Sequence, residues 1–311
     1  MEVDAHEPQR DQHLWFQDGN IVLQAGNSQF RVYRGILAAR SPVFQDMFTF
    51  PQPAECELVD RCPLVRLHDS AADAAVFLRA IFDTSFFRPF PFPTEFNAIA
   101  GCLRLGHKYG VDDLRRSALI HLSSAYRTTL AEADCCFYDY STKNRLPSEI
   151  TFRIYVLELA REVQALWIMP LAFYNLSVAF TELTKDILRG TCYNGNPTSL
   201  SDHDREAFLT GHHIQGRRVT TDILRFLSYP LHIEGCTSLA RCSLERLRVV
   251  DIMREEIRYK YICPMCLAAL KETHAEAREA FWNKLPEIYG LPNWQELERM
   301  KVEAIGSDWL A

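Results

Sequence analysis

Asn20-Ile21-Val22-Leu23-Gln24-Ala25-Gly26-Asn27-Ser28-Gln29-Phe30-Arg31-Val32-Tyr33 is the stretch that decides the front of this chain. Residues 20–24 and 29–33 are short, rich in β-branched and aromatic residues, and separated by Gly26 and Asn27, which supply hairpin turn chemistry. The second run alternates, with Phe30 and Val32 on one face and Gln29, Arg31 and Tyr33 on the other, as a half-buried strand requires. Working outward, a helical stretch follows from Arg34 to Ala39. Ser41-Pro42 then opens another helix, with serine as N-cap and proline at the first helical position. Phe44, Met47 and Phe48 give that helix its apolar stripe.

Residues 51–63 form a proline-punctuated loop, and Leu64-Val65-Arg66-Leu67 reads as a third strand. Asp69-Ser70 can cap the next helix, whose expected stripe is Val76, Phe77, Ala80 and Ile81. The alternating prolines of Phe86-Phe87-Arg88-Pro89-Phe90-Pro91-Phe92-Pro93 exclude a helix there. Its phenylalanines read as anchors on the protein's own core in preference to a ligand of the polyproline type. Two further helices carry Phe96, Ile99, Ala100 and Leu103, then Val111, Leu114, Ala118 and Leu122, with Gly110 breaking between them. From about residue 128 the chain reads almost wholly α. Val156, Leu159, Ala160, Val163, Leu166 and Trp167 form one stripe, and Phe173, Leu176, Phe180, Leu183 and Ile187 a second. Residues 190–197 read as a turn-rich loop, and helices are expected near 202–214, 220–228, 243–260, 265–284 and 293–303.

The order of two strands, two short helices, a strand, a helix and two more helices resembles the BTB/POZ fold. The residues carrying the resemblance are Asp18-Gly19-Asn20-Ile21-Val22-Leu23, Phe30 to Phe44, Asp46-Met47-Phe48, Val65-Arg66-Leu67-His68-Asp69, and Leu105 to Arg115. The tail resembles the C-terminal region of the BTB group expanded in mushroom-forming fungi. Its marks are Ala165-Leu166-Trp167-Ile168-Met169-Pro170, Phe281-Trp282-Asn283-Lys284-Leu285-Pro286 and Gly290-Leu291-Pro292-Asn293-Trp294. The resemblance implies self-association, with Leu14, Trp15, Phe16, Arg34, Ile36, Leu37, Ser41, Val43 and Phe44 at the dimer interface. Leu37 and Phe44 are equally suited to intrachain core. Asn20 stands where many such domains have an aspartate facing a basic groove residue, and Tyr33 replaces a customary histidine. Phe50-Pro51-Gln52-Pro53-Ala54 gives no clean equivalent of the hydrophobic-x-Glu triplet of cullin-type ubiquitin-ligase adaptors, so adaptor function is the weaker alternative.

The composition allows two real cores, since 48% of the 311 residues are apolar. A net charge of −6 disfavours the phosphate backbone of nucleic acids. No run reaches the eighteen or so apolar residues that cross a bilayer, and the first residues lack the cationic start and apolar core of a secretory signal. The expected location is therefore cytoplasmic or nuclear. No Gly-x-Ser-x-Gly elbow, phosphate-cradling loop or dinucleotide fingerprint occurs, so neither an enzyme nor a small-molecule substrate is indicated, and no cofactor.

The ten cysteines are expected to stay reduced, mostly as small apolar fillers. One group stands out: Cys263-Pro264-Met265-Cys266, with Cys236 and Cys242 upstream. A Cys-x₂-Cys knuckle can place two thiolates on Zn²⁺ and a second pair would complete the tetrahedron. The upstream Cys-x₅-Cys is loose for a knuckle, and His274 is a conceivable substitute, so buried thiols joining two helices is the preferred reading. Cys135-Cys136 and His212-His213 are adjacent pairs that do not share a helix face. The expectation overall is an α+β chain with a disordered tail over 1–13, a BTB/POZ domain over 14–125 and an all-α domain over 126–311. It would dimerise with itself or related chains and bind a protein partner yet to be identified. A zinc-stabilised binding module is the alternative.

Overall fold

The computed structural model describes residues 8–50, 57–138, 147, 149, 151–178, 180–218, 234–238, 241–242 and 263–307, without the side chains of 135–138 and 180–183. The chain folds as two compact units, one of residues 1–201 with 295–311 and one of residues 202–294. Packing thus continues past residue 125, where the domain boundary was expected.

The first unit is built on a five-stranded sheet with strand order β1-β3-β2-β5-β4. β2 (Ile21–Ala25) and β3 (Ser28–Val32) form the expected hairpin, Ile21 opposite Val32 and Ala25 opposite Ser28. β5 (Cys62–Leu67) lies parallel to β2, reached through α1 (Arg34–Arg40) and α2 (Pro42–Thr49). Val22 and Leu23 point to opposite faces and both are fully enclosed, which makes β2 a central strand covered on each side. β4 (Leu58–Val59) closes on β5 through Asp60 and Arg61, both with positive φ as a two-residue hairpin turn demands.

Of the disordered tail expected over 1–13, residues 9–13 belong instead to β1 (Gln9–Trp15), which runs parallel to β3. Its polar sequence gives no alternation, and the register shifts between Arg10 and Trp15. There the Asp11 carboxylate accepts the N–H groups of His13 and Leu14, replacing ladder partners while Leu14 turns inward. Residues 1–7 lie outside the described residues.

α3 (Ala71–Phe82), α4 (Phe96–Tyr109) and α5 (Asp112–Ser123) complete the front. Ser70 caps α3 by accepting from the Asp73 N–H at 3.0 Å. The buried face of α3 is Ala74, Phe77, Leu78 and Ile81, so the expected stripe was rotated: Val76 and Ala80 sit at its margins. Gly110 ends α4 in the left-handed region at φ 66°. In the proline-rich turn, Phe87 and Phe90 set their ring edges on the buried His121, whose Nε2 lies 2.9 Å from the Arg88 carbonyl.

Behind them, α6 (Leu130–Tyr138), α7 (Phe152–Glu162), α8 (Met169–Val178) and α9 (Phe180–Arg189) follow. The stripe expected to run on to Trp167 is interrupted at Gln164, φ 60°, after which Leu166–Ile168 makes one 3₁₀ turn. The loop expected at 190–197 is instead a hairpin of β6 (Thr191–Tyr193) and β7 (Asn196–Thr198), turned by Asn194 and Gly195, so the rear is not wholly α. Arg104 in α4 ties the front to the rear: its guanidinium meets Asp73 at 3.0 Å, Tyr155 Oη at 2.9 Å and Glu162 at 2.8 Å. Trp167 Nε1 donates to Ser123 Oγ at 2.9 Å. Rings of Phe96, Phe152, Tyr155 and Tyr193 pack together across α4, α7 and β6.

The second unit contains α10 (Asp202–Arg218) and α11 (Pro264–Ile288). Tyr289 packs on Gly211, and its hydroxyl donates to Gln215 Oε1. Trp282 and Trp294 stack at 5.2 Å, with Trp294 Nε1 bonded to the Trp282 carbonyl at 2.7 Å. α12 (Trp294–Ile305) returns all but its first residue to the first unit, where Arg116 donates to the Ile305 carbonyl. The helices expected at 220–228 and 243–260, and the side chains of Phe180, Leu183, Cys135 and Cys136, lie outside the described residues.

Candidate functional site

Two places concentrate the residues singled out by the sequence. The first is the α1–α2 pair at the front. Ser41 holds it in place: its Oγ accepts the Phe44 N–H at 3.0 Å and donates to the Tyr109 carbonyl. Phe44 stacks on Tyr109 with ring centroids 4.5 Å apart. Asn20 accepts the Arg34 N–H at 2.8 Å, capping the start of α1, and the Arg34 guanidinium donates to the Phe48 carbonyl. The polar side chain that replaces aspartate here is therefore used within the chain. Tyr33 Oη likewise donates to Asp18 at 2.6 Å, holding the Asp18 carboxyl below its ordinary range.

This geometry sorts the nine expected interface residues. Leu14, Leu37, Ser41 and Phe44 are enclosed by their own chain and offer no area to a partner. Their side chains belong to the core of the chain that carries them. Ile36 and Val43 remain 43% and 39% exposed on the outer side of α1 and α2. Arg34 is exposed at the same end, while Trp15 and Phe16 are half-buried. Trp15 lies under the Arg10 guanidinium at 4.4 Å, and Phe16 packs on Tyr33 and Phe82. The sequence reading missed Phe50, 69% exposed just beyond α2. Its signal was present: once Phe48 faces the core, the extended residue two positions on is free to face outward.

The second place is in the unit of residues 202–294. The sulfurs of Cys236, Cys242, Cys263 and Cys266 all lie within 4.8 Å of one another. Cys263 is the N-cap of α11, followed by Pro264 at the first helical position. Its sulfur accepts the Cys266 N–H at 3.5 Å. A second backbone N–H, from Thr237, reaches the same sulfur, and together the two hold the Cys263 thiol down at about 6. Burial pushes the Cys266 thiol up to about 12. The wide upstream spacing is absorbed locally. Gly235 turns the chain at φ 82°, and the Cys242 N–H bonds the Ser238 carbonyl at 2.9 Å, a helical i→i−4 bond that draws Cys242 back beside Cys236. His274, eight residues beyond Cys266 and so about 12 Å along α11, is not part of the group. The adjacent pair His212-His213 also stays apart from it, with His212 stacked on Phe208.

The front thus sets a small sheet among short helices and leaves apolar side chains on the outer side of α1 and α2. Residues 8–125 match the BTB/POZ domain family, and the match spans the sheet and α1 to α5. The front of this chain is a BTB/POZ domain, followed by a helical C-terminal region. BTB/POZ domains are protein–protein interaction modules and commonly dimerise. No curated protein matches the chain. Among the described residues, no helix is long and apolar enough to cross a membrane.

Proposed function

We propose that this protein acts by assembly: its BTB/POZ domain pairs with a second copy or a related BTB chain, and the helical region binds a protein partner. The observation that carries the reading is the outward placement of Ile36 and Val43 on helices whose inner side is locked by Leu37, Ser41 and Phe44. Rigid helices presenting apolar side chains suit an interface, because little order is lost when they are covered. Trp15, Phe50 and Arg34 supply the aromatic and arginine side chains in which such surfaces are rich. The tail's resemblance to the fungal BTB group accords with this reading.

The test is sedimentation of the full chain at micromolar concentration. A dimer burying on the order of 1,600 Å² in total is expected, and the doubly substituted Ile36→Asp, Val43→Asp chain should sediment as a monomer with its folded signal retained. A wild-type chain that stays monomeric at that concentration would overturn the self-association.

A further inference from the structure

We infer that Cys236, Cys242, Cys263 and Cys266 form a structural zinc site. Zn²⁺ held by four thiolates at about 2.3 Å needs sulfurs about 3.8 Å apart at the corners of a tetrahedron. The four sulfurs here already lie within 4.8 Å of one another, so closing on the ion asks for a contraction of about an ångström at most. Three separate backbone features converge to make this arrangement: the turn at Gly235, the helical bond behind Cys242, and the N-terminus of α11. Buried thiols filling a core would not need such convergence.

The surroundings suit thiolates as well as sulfur. Each ligand must lose its proton to solvent as the metal binds, leaving a complex with net negative charge. Two ligands sit at the first turn of α11, where the positive end of the helix favours that charge. The N–H groups of Cys266 and Thr237 point at Cys263 and stabilise it as an acceptor. Four protein ligands leave no position open for water or substrate, so the role is structural. The ion would join a turn and a short helical piece to the start of α11, with twenty residues of chain between Cys242 and Cys263.

The experiment uses the full chain purified under reducing conditions. Elemental analysis should find about one zinc per chain. After removal by a chelator, titration with Co²⁺ should restore one equivalent and give the intense thiolate charge-transfer and visible bands of tetrahedral Co–S₄. Cys242→Ser and Cys266→Ser should each lose the metal, whereas Cys192→Ser and His274→Ala should keep it. The wild-type cobalt spectrum keeps the inference testable even if a ligand variant fails to fold. Absence of zinc together with no cobalt uptake would overturn it. So would disulfides among these four cysteines in the freshly isolated chain, or a cobalt spectrum lacking the thiolate bands.

Discussion

Leu37 and Phe44 show how a single residue can be legible in type and illegible in role. Both are apolar at helical positions, and the sequence allows them to face either a partner or the core. The structure encloses both completely. Leu37→Asp is therefore expected to unfold the front unit, since it buries an unpaired charge, and to lower the thermal midpoint well before any change in assembly is read. Ser41→Ala should cost about 1–2 kcal/mol in chemical denaturation, because the cap of α2 is lost and the Tyr109 carbonyl loses a donor. α10 offers a matched pair of glycines. A methyl group at Gly211 would stand 2.3 Å from the Tyr289 ring, while at Gly216 it would meet nothing within 4 Å. Gly211→Ala should destabilise by about 1–3 kcal/mol through overpacking, more than the gain of about 1 kcal/mol in helix propensity. Gly216→Ala should show that gain alone. Equal effects of the two on the denaturation midpoint would refute the close contact.

At the scale of elements, alternation and capping residues located the hairpin of β2 and β3, α1, α2 and the break at Gly110. They failed where an element is shaped by its neighbours. β1 is polar and bent by Asp11, so period-two patterning is missing from it. The β6–β7 hairpin did carry a signal, Asn194-Gly195, overlooked because its strands are only three residues long. The face of α3 was misjudged because Val76 lies against α4 near Gly101 at the margin of the core, where hydrophobicity alone does not fix orientation. Arg104 is the strongest link between α4 and the helices behind it. Arg104→Met should cost about 3 kcal/mol, chiefly by leaving the enclosed Asp73 carboxylate uncompensated. The contact with the more exposed Glu162 adds little. A loss below about 1 kcal/mol in equilibrium unfolding would show that the pairing does not anchor α7.

For the molecule as a whole, the tyrosines of the first unit supply a pH test. Burial raises Tyr109, Tyr126 and Tyr155 above the ordinary tyrosine value, Tyr109 further through its bond to Asp69, and burial pushes Tyr193 up to about 12. Because the folded values lie above the unfolded value of about 10, this contribution to stability is complete below about pH 10 and is lost as pH climbs through the folded values. Tyrosinate absorbance from these residues should rise together with loss of helical signal. A smooth titration near pH 10 with the fold intact would contradict their burial. What the sequence by itself determined is the α+β front with its resemblance to BTB/POZ, the helical character behind it, and the residue types available for sulfur ligation. Local pattern suffices for these, since caps, turns and alternation act over a few residues. Which apolar side chains stay outside, and that four cysteines spread over thirty residues meet, were decided only by tertiary structure. Both depend on the distance between residues far apart in the chain, and no short window of sequence encodes that distance.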